Sequence, residues 1–264
     1  MVTSLIVDMS VYIYTIPKSG TYFFAAMLEL LGLENTGIHI MKEHYLDTKR
    51  FDLNVNSKYP SRTLVKQDYR KTIRSLSENQ IAFGHYPLPM IPFSSQRHTK
   101  FLCAYRHPRE TLVSEYIDFR FRRKDIPWIS PEKIPNHKKA FIRFMRRHGV
   151  THHYDSIKYF VYTAQYLHSP IGYRKRRKTQ FYNFDKTLID PQESNKISKF
   201  IGKPIEINRA AAFLEALKST ETKTKVNDIK IDRQSLWTAK AEELYHERGF
   251  DRLITKARNV GLEF

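Results

Sequence analysis

Short runs of β-branched and aromatic residues alternate with amphipathic stretches along this chain. Residues 11–16 (VYIYTI), 81–87, 100–106 and 179–184 have the composition of strands. The stretches that begin near Tyr22 and at Pro108 carry apolar residues at helical spacing. Strand, tight turn and helix in this order are typical of a parallel sheet. The pattern therefore predicts an α/β fold, with a central parallel sheet flanked by helices.

The rest of the chain is predicted to be mostly helical. Further helices are expected at 156–168, 190–201 and 209–218 and over the C-terminal segment from Leu236 to Leu262. The chain shows neither an internal repeat nor a low-complexity linker. We therefore predict one domain over residues 1–264, with long insertions at 33–80 and 120–170, where the pattern is weak.

Composition narrows the class of protein. With 264 residues and a hydrophobic fraction of 41%, the chain can bury a substantial core, which excludes disorder throughout. The single cysteine, Cys103, excludes an internal disulfide and a multi-cysteine metal site. The N-terminus does not have the pattern of a signal peptide, and no apolar run is long enough to span a membrane. We expect a cytoplasmic protein without a membrane partner.

The formal net charge of +18 indicates a polyanionic partner. Basic residues are concentrated at 97–147 and in RKRRK at 174–178. Solvated surface, a funnel for an anionic ligand and nucleic-acid binding all fit these stretches. No nucleic-acid-binding signature is present, so nucleic acid is not expected. A basic polyanion binder nevertheless remains an alternative function.

The turn after the first strand has the features of an anion site. Lys18, Ser19, Gly20 and Thr21 lie between a strand and a helix, where backbone N–H groups and the helix dipole favour negative charge. An ordinary βα turn with a surface lysine is the structural alternative. The ATP-binding loop requires a lysine after its last glycine, whereas Lys18 precedes Gly20. A kinase-like phosphoryl transferase is therefore a disfavoured alternative.

Two more strand ends carry candidate chemistry. Arg106 ends the strand at 100–106, and Ser114 follows eight residues later on the next helix, so that both can hold a phosphate. His85 ends the preceding strand and has the intrinsic pKa of a general base. Carboxyl ends of parallel strands converge on one crevice, which predicts that His85, Lys18 and Arg106 share one edge. The alternatives are a loop histidine and an arginine paired with an acid.

The segment PKSGTYF resembles the 5′-phosphosulfate loop of sulfotransferases that use 3′-phosphoadenosine 5′-phosphosulfate (PAPS). The family pattern is close to PKSGTTW, so this chain departs at Tyr22 and Phe23. The resemblance implies that Lys18 to Phe23 bind the donor, Tyr22 through its backbone and Phe23 by stacking on the adenine. It also implies a P-loop-NTPase-like sulfotransferase fold.

Further patches extend the resemblance to PAPS-dependent sulfotransferases. Arg106 and Ser114 match the family's 3′-phosphate pattern at the same spacing. Tyr182 lies in a strand similar to one that approaches the adenine. The family's basic C-terminal loop has no clean counterpart, and Lys223 and Lys225 are its candidates here.

The resemblance implies sulfuryl transfer from PAPS to a hydroxyl or amine of a small-molecule acceptor, which leaves adenosine 3′,5′-bisphosphate (PAP). His85 would then take the acceptor proton and Lys18 would stabilise the leaving group. The insertions would wall the acceptor pocket. His148, His152 and His153 lack an acidic partner in the H-E-x-x-H arrangement, so we expect no metal.

Overall fold

A computed structural model gives the fold of the protein. The structure describes residues 9–41, 44–50, 53–66, 69–85, 98–172, 176–205, 211–216 and 231–264. Within these ranges one seven-stranded sheet is formed. Its strands are β1 (Ser10–Thr15), β2 (Glu34–Met41), β3 (His44–Asp47), β4 (Leu64–Lys66), β5 (Gln80–Gly84), β6 (Thr99–Tyr105) and β7 (Thr179–Asn183).

The sheet has the order β4-β3-β2-β5-β1-β6-β7. The strands β2, β5, β1, β6 and β7 run parallel, while β3 and β4 are antiparallel at one edge. The predicted parallel α/β sheet is therefore confirmed. The segment 33–80 supplies β2, β3 and β4. Its sequence pattern is weak because β3 and β4 are short and because the burial of all three strands alternates irregularly.

Helices flank the sheet. They are α1 (Thr21–Leu30), α2 (Leu53–Lys58), α3 (Tyr69–Arg74), α4 (Pro108–Ile117), α5 (His137–Phe144), α6 (Val150–His168), α7 (Phe184–Ile189), α8 (Pro191–Ile201), α9 (Ala239–Arg248) and α10 (Phe250–Arg258). Residues 211–216 are helical as well. Two π-helical turns, Asp118–Arg122 after α4 and Met145–Gly149 between α5 and α6, interrupt the α-helical geometry.

The central strand β1 divides the core into two layers. All six of its residues are buried, and successive side chains point to opposite faces. Tyr12 and Tyr14 pack with the residues of α4, α5, α6, α9 and α10, whereas Val11 and Ile13 pack with those of α1 and α8. A strand buried on both faces reads as a continuous apolar run, which explains why residues 11–16 are recognisable in the sequence.

The topology places the carboxyl ends of β1, β5 and β6 side by side, since β1 pairs with β5 on one side and with β6 on the other. The segments that follow these ends carry Lys18, His85 and Arg106. This confirms that the three residues lie at one edge of the sheet. None of the helices in the described ranges is long and apolar enough to cross a membrane.

Candidate active site

The turn from β1 to α1 has a strained backbone, against which the Phe184 ring packs closely. Lys18 has φ 67° and Gly20 has φ 81°, both in the left-handed region. A Cβ at Gly20 would lie 2.2 Å from Cδ2 of Phe184, so no other side chain fits there. A non-glycine residue held at positive φ is costly and is typical of functional loops. The fold therefore constrains this turn to a single shape.

The same turn leaves polar groups unpaired at the start of α1. No side chain in the described part of the chain caps the N-terminus of α1, so its first N–H groups are not satisfied by such a cap. The Ser19 hydroxyl is fully buried and has no hydrogen-bond partner among the described residues. The Ser19 amide donates to Ile16 O at 3.1 Å and is not available to a ligand. A buried hydroxyl and an uncapped helix start fit a phosphate or sulfate group.

An ion-pair network anchors Lys18. Its Nζ donates to Asp118 Oδ2 at 2.6 Å, and Arg122 Nη2 lies 2.6 Å from the other oxygen of Asp118. Asp118 and Arg122 belong to the π turn that continues α4. The carboxylate fixes the position of the ammonium, and only 15% of the Lys18 side chain is exposed. The sequence analysis missed Asp118, because its role depends on a contact across one hundred residues.

His85 follows β5 and is oriented by β1. Its Nδ1 donates to the Thr15 carbonyl oxygen at 2.9 Å and lies 3.1 Å from Thr15 Oγ1. This hydrogen bond places the proton on Nδ1 and leaves Nε2 as the basic nitrogen. Thr15 Oγ1 also contacts Thr21 Oγ1 at 2.6 Å, so that Thr15 connects His85 to the start of α1. Glycine is required at position 84, because a Cβ there would lie 2.1 Å from Ile40 O.

The environment keeps His85 neutral. Burial lowers its pKa to about 4, and the nearby cations His152 and Lys18 act in the same direction. The Thr15 carbonyl and Glu115 oppose this pKa shift without reversing it. His85 is therefore unprotonated at neutral pH, as a proton acceptor must be.

Tyr22 points towards the β2–β5 side of the sheet. Its hydroxyl lies 2.8 Å from His39 Nδ1, and its ring packs edge-on against Phe83. The His39 ring in turn contacts the His85 ring at 4.9 Å. Burial and the charge of Asp118 raise the pKa of Tyr22, so the phenol stays protonated. The Tyr22 side chain therefore supports the His85 side of the site.

Arg106 lies at the end of β6 beneath an aromatic ring. Its Nε donates to Asp185 Oδ1 at 2.8 Å, and its Nη2 lies 3.4 Å from Glu110 Oε2. Its guanidinium carbon is 5.3 Å from the centre of the Phe184 ring. The pairing with an acid matches one alternative from the sequence. It also holds the guanidinium, which has five donors, at the strand end. Ser114 is partly buried on α4.

Aromatic residues near the turn are arranged differently from the family pattern. Phe23 is 5% exposed and packs edge-on against Phe184, at 5.5 Å between ring centres. Tyr182 is 3% exposed within the core, and its hydroxyl donates to Gln180. Phe184 is the ring that contacts Gly20, Phe23 and Arg106. Sequence reasoning missed Phe184, which stands two residues after the tyrosine that it singled out.

Two neighbours of Arg106 have structural roles. His107 caps α4, since its Nδ1 accepts from the Arg109 amide at 3.2 Å. Arg109 forms a bidentate pair with Glu242 on α9, at 2.5 and 2.6 Å, and stacks over Trp237. These contacts attach α9 to the start of α4. Lys223 and Lys225, the candidates for the 3′-phosphate loop, lie outside the described residues.

A buried carboxylate on α4 is surrounded by histidines. Glu115 is 5% exposed, and His153 Nε2 donates to its Oε2 at 2.8 Å. His148 Nε2 and His152 Nδ1 lie 3.4 and 3.3 Å from the same carboxylate. Burial acts to raise the pKa of Glu115, but the imidazoles outweigh it and hold this pKa well below its usual range. The sequence analysis missed Glu115, which comes from a different helix.

The fold and the site together have the features of an α/β transferase. In the described residues, an uncapped helix start follows the central strand and a neutral histidine follows the neighbouring strand. Lys18, in the turn before the helix, is paired with Asp118. These are features of a site for an anionic group with a proton acceptor beside it.

The comparison with family sequences identifies the class of transferase. The family model described as "Sulfotransferase domain" matches residues 8–251, so the chain belongs to the sulfotransferase family. The predicted family and fold are therefore confirmed. A comparison with curated proteins finds no match.

Solved structures share the fold at low sequence identity. A mouse sulfotransferase, SULT7A1, complexed with PAP is 16% identical with a TM-score of 0.58, and the match covers 95% of this chain and 84% of that chain. Retinol dehydratase in complex with androsterone and inactive cofactor PAP is 15% identical with a TM-score of 0.59, covering 97% and 82%. Retinol dehydratase with retinol and PAP is 13% identical with a TM-score of 0.55, covering 97% and 83%.

Proposed function

We propose that this sulfotransferase uses PAPS as its donor and sulfates a hydroxyl or amine of a small-molecule acceptor. The observation that carries the donor assignment is the turn between β1 and α1. Among the described residues, the Ser19 hydroxyl is buried without a hydrogen-bond partner and the start of α1 has no side-chain cap, while Gly20 allows close approach of the backbone. PAP is the nucleotide bound in the similar solved structures.

Residues that follow two different strands, β1 and β6, would bind the two ends of the donor. Ser19, through its hydroxyl, and the backbone amides that follow Gly20 would bind the 5′-phosphosulfate. Arg106 and Ser114 would bind the 3′-phosphate, and Arg106 would exchange its contacts with Asp185 for the more highly charged phosphate. Phe184, which is partly exposed, offers the aromatic surface for the adenine, and the buried ring of Phe23 packs edge-on against it. Tyr182 is assigned to the core behind this surface.

The reaction is an in-line transfer of the sulfuryl group. The acceptor oxygen or nitrogen forms a bond to sulfur while the bond from sulfur to the 5′-phosphate oxygen breaks. His85 Nε2 takes the acceptor proton, since Nδ1 is committed to Thr15 O. Lys18 stabilises the negative charge that develops on the leaving phosphate. Asp118 positions Lys18 before the charge appears.

Labelled PAPS and a panel of acceptors test this function. Transfer of label to at least one small phenol, alcohol or amine is expected, and it should fall by about 10²-fold or more in Lys18→Ala. Calorimetry should show PAP binding more tightly than adenosine 5′-monophosphate, which lacks the 3′-phosphate. Equal affinity for the two nucleotides would contradict the donor assignment. Arg109→Ala is the matched control, because Arg109 is a neighbouring arginine engaged by Glu242 and Trp237.

A further inference from the structure

The carboxylate and histidines at the junction of α4, the second π turn and α6 are not used by the proposed sulfuryl transfer. Glu115 lies on α4, His148 lies in the π turn, and His152 follows one turn later on α6. One donor atom from each residue lies within 4.8 Å of the other two. We call these three residues the Glu–His cluster.

The distances within the Glu–His cluster match those between ligands of a tetrahedral metal site. Zinc bonds of about 2.0–2.1 Å to nitrogen and oxygen place neighbouring ligand atoms about 3.3–3.4 Å apart. Glu115 Oε2 and His148 Nε2 are separated by 3.4 Å, and Glu115 Oε1 and His152 Nδ1 by 3.3 Å. A charge-assisted hydrogen bond would be shorter, about 2.7–2.9 Å.

Among the described residues, the two imidazole nitrogens have long contacts to Glu115 and no hydrogen bond. His148 Nε2 and His152 Nδ1 are both buried, and neither makes a hydrogen bond to any part of the chain that the structure describes. Buried polar atoms are rarely left unsatisfied. The two rings lie nearly parallel, with centres 4.6 Å apart. The two rings therefore lie side by side next to the Glu115 carboxylate.

Surrounding residues hold the cluster in place, as outer-shell partners do at metal sites. His153 is fully buried and donates from Nε2 to Glu115 Oε2 at 2.8 Å. The π turn that carries His148 packs closely on the core, since a Cβ at Gly149 would lie 2.3 Å from Phe144 Cε1. Single π turns in helices often occur at functional sites.

We propose that Glu115, His148 and His152 form a binding site for one divalent ion of the zinc class. Two imidazole nitrogens and one carboxylate, whose two oxygens lie 3.4 and 3.3 Å from them, are a donor set that zinc uses at sites with an open position. Magnesium prefers six oxygen ligands and does not fit this set. The sequence-based expectation of no metal considered acidic partners only within H-E-x-x-H. The carboxylate comes instead from another helix. This proposal does not depend on the proposed function.

Metal titration of the full-length, chelator-treated protein tests the site. Co²⁺ should bind at one equivalent and produce the visible absorption of a low-coordinate site, and Zn²⁺ should displace it. Excess Mg²⁺ should not compete. Loss of an outer-shell partner at metal sites already costs about 10–100-fold in affinity, so His148→Ala and His152→Ala should each cost at least that. His168→Ala is the matched control, because His168 is an exposed histidine on α6.

A second readout separates metal binding from a structural role. Zn²⁺ should raise the Tm of the wild type and of His168→Ala, but not of His152→Ala. Both cluster histidines are partly exposed, at 31% and 41% of the side chain, so far-UV circular dichroism should stay native in the variants. Absence of stoichiometric Co²⁺ binding would overturn the proposal. So would a Tm that Zn²⁺ leaves unchanged, or an equal loss of affinity in His168→Ala.

Discussion

The protonation of His85 gives the sharpest prediction for this enzyme. Its Nδ1 is bonded to Thr15 O and burial lowers its pKa to about 4. The neutral ring is the form that accepts the proton, so a lowered pKa extends activity towards acid pH. The acid limb of kcat/KM that belongs to His85 should lie near pH 4, well below the ordinary histidine pKa of about 6.5.

The size of the effect follows from the two pKa values. At about pH 5.5, a histidine with a pKa of about 6.5 is only about one-tenth neutral, whereas one with a pKa of about 4 is almost entirely neutral. The wild-type rate at this pH should therefore stay within about twofold of its value at about pH 7.5. An unperturbed base would lose about tenfold between the same two points.

The same pKa shift affects stability. The folded state binds the His85 proton less readily than the unfolded state, so its contribution is complete above about pH 6.5 and is lost as pH falls towards about 4. A fully expressed shift of this size corresponds to about 3 kcal/mol, an upper limit for this one group. Urea unfolding at about pH 7.5 and pH 5 should show a larger loss in the wild type than in His85→Gln.

The assay is kcat/KM with labelled PAPS over this pH range, with a chelator present so that the Glu–His cluster stays free of metal. His85→Gln should lose about 10²–10⁴-fold in rate and retain PAP binding. His107→Ala is the control, since His107 caps α4 and its replacement should cost stability of about 1 kcal/mol without removing the base. An acid limb near pH 6.5 that disappears in His85→Gln would refute the structural argument that His85 is a base kept neutral by its surroundings. Full activity of His85→Gln would refute its role altogether.

Three further predictions concern two cations of the site, Lys18 and Arg106, and the neighbouring Arg109. Lys18→Ala should lower kcat by about 10²-fold or more with little change in Tm, as loss of one electrostatic group does, and steady-state kinetics would test this. Arg106→Ala should reduce the preference for PAP over adenosine 5′-monophosphate by about 1.5–3 kcal/mol. Calorimetry with both nucleotides tests this, and an unchanged difference in their binding free energies would mean that the 3′-phosphate is bound elsewhere. Arg109→Ala should instead lower Tm and leave that preference unchanged, because it breaks the pair with Glu242; a lost preference would contradict the structural assignment.

Local patterns in the sequence were sufficient to predict one half of the site. The turn at 17–21 lies between a fully buried strand and an apolar helix, so both its boundaries and its anion-binding character are visible locally. His85 and Arg106 follow strands whose apolar runs are equally clear. Parallel strands end at one edge, so their proximity could be inferred without coordinates. The structure confirms that placement.

The tertiary structure decided which side chains serve these positions. Asp118 reaches Lys18 and Phe184 reaches Gly20 only because separate segments pack together, and pairs so distant along the chain leave no periodic signal. Tyr182, which the resemblance places near the adenine, is 3% exposed because it packs with residues of α1 and α8, a contact that the sequence pattern does not specify.

The Glu–His cluster shows most clearly what the sequence determines and what only the tertiary structure decides. The sequence determined that His148, His152 and His153 lie close together, since spacing along a helix is a local property. It did not determine that Glu115 would face them, because the packing of α4 against α6 depends on apolar contacts made by both helices with the sheet and with each other. Helical periodicity specifies which residues share a face, whereas the partner of that face is selected by tertiary packing.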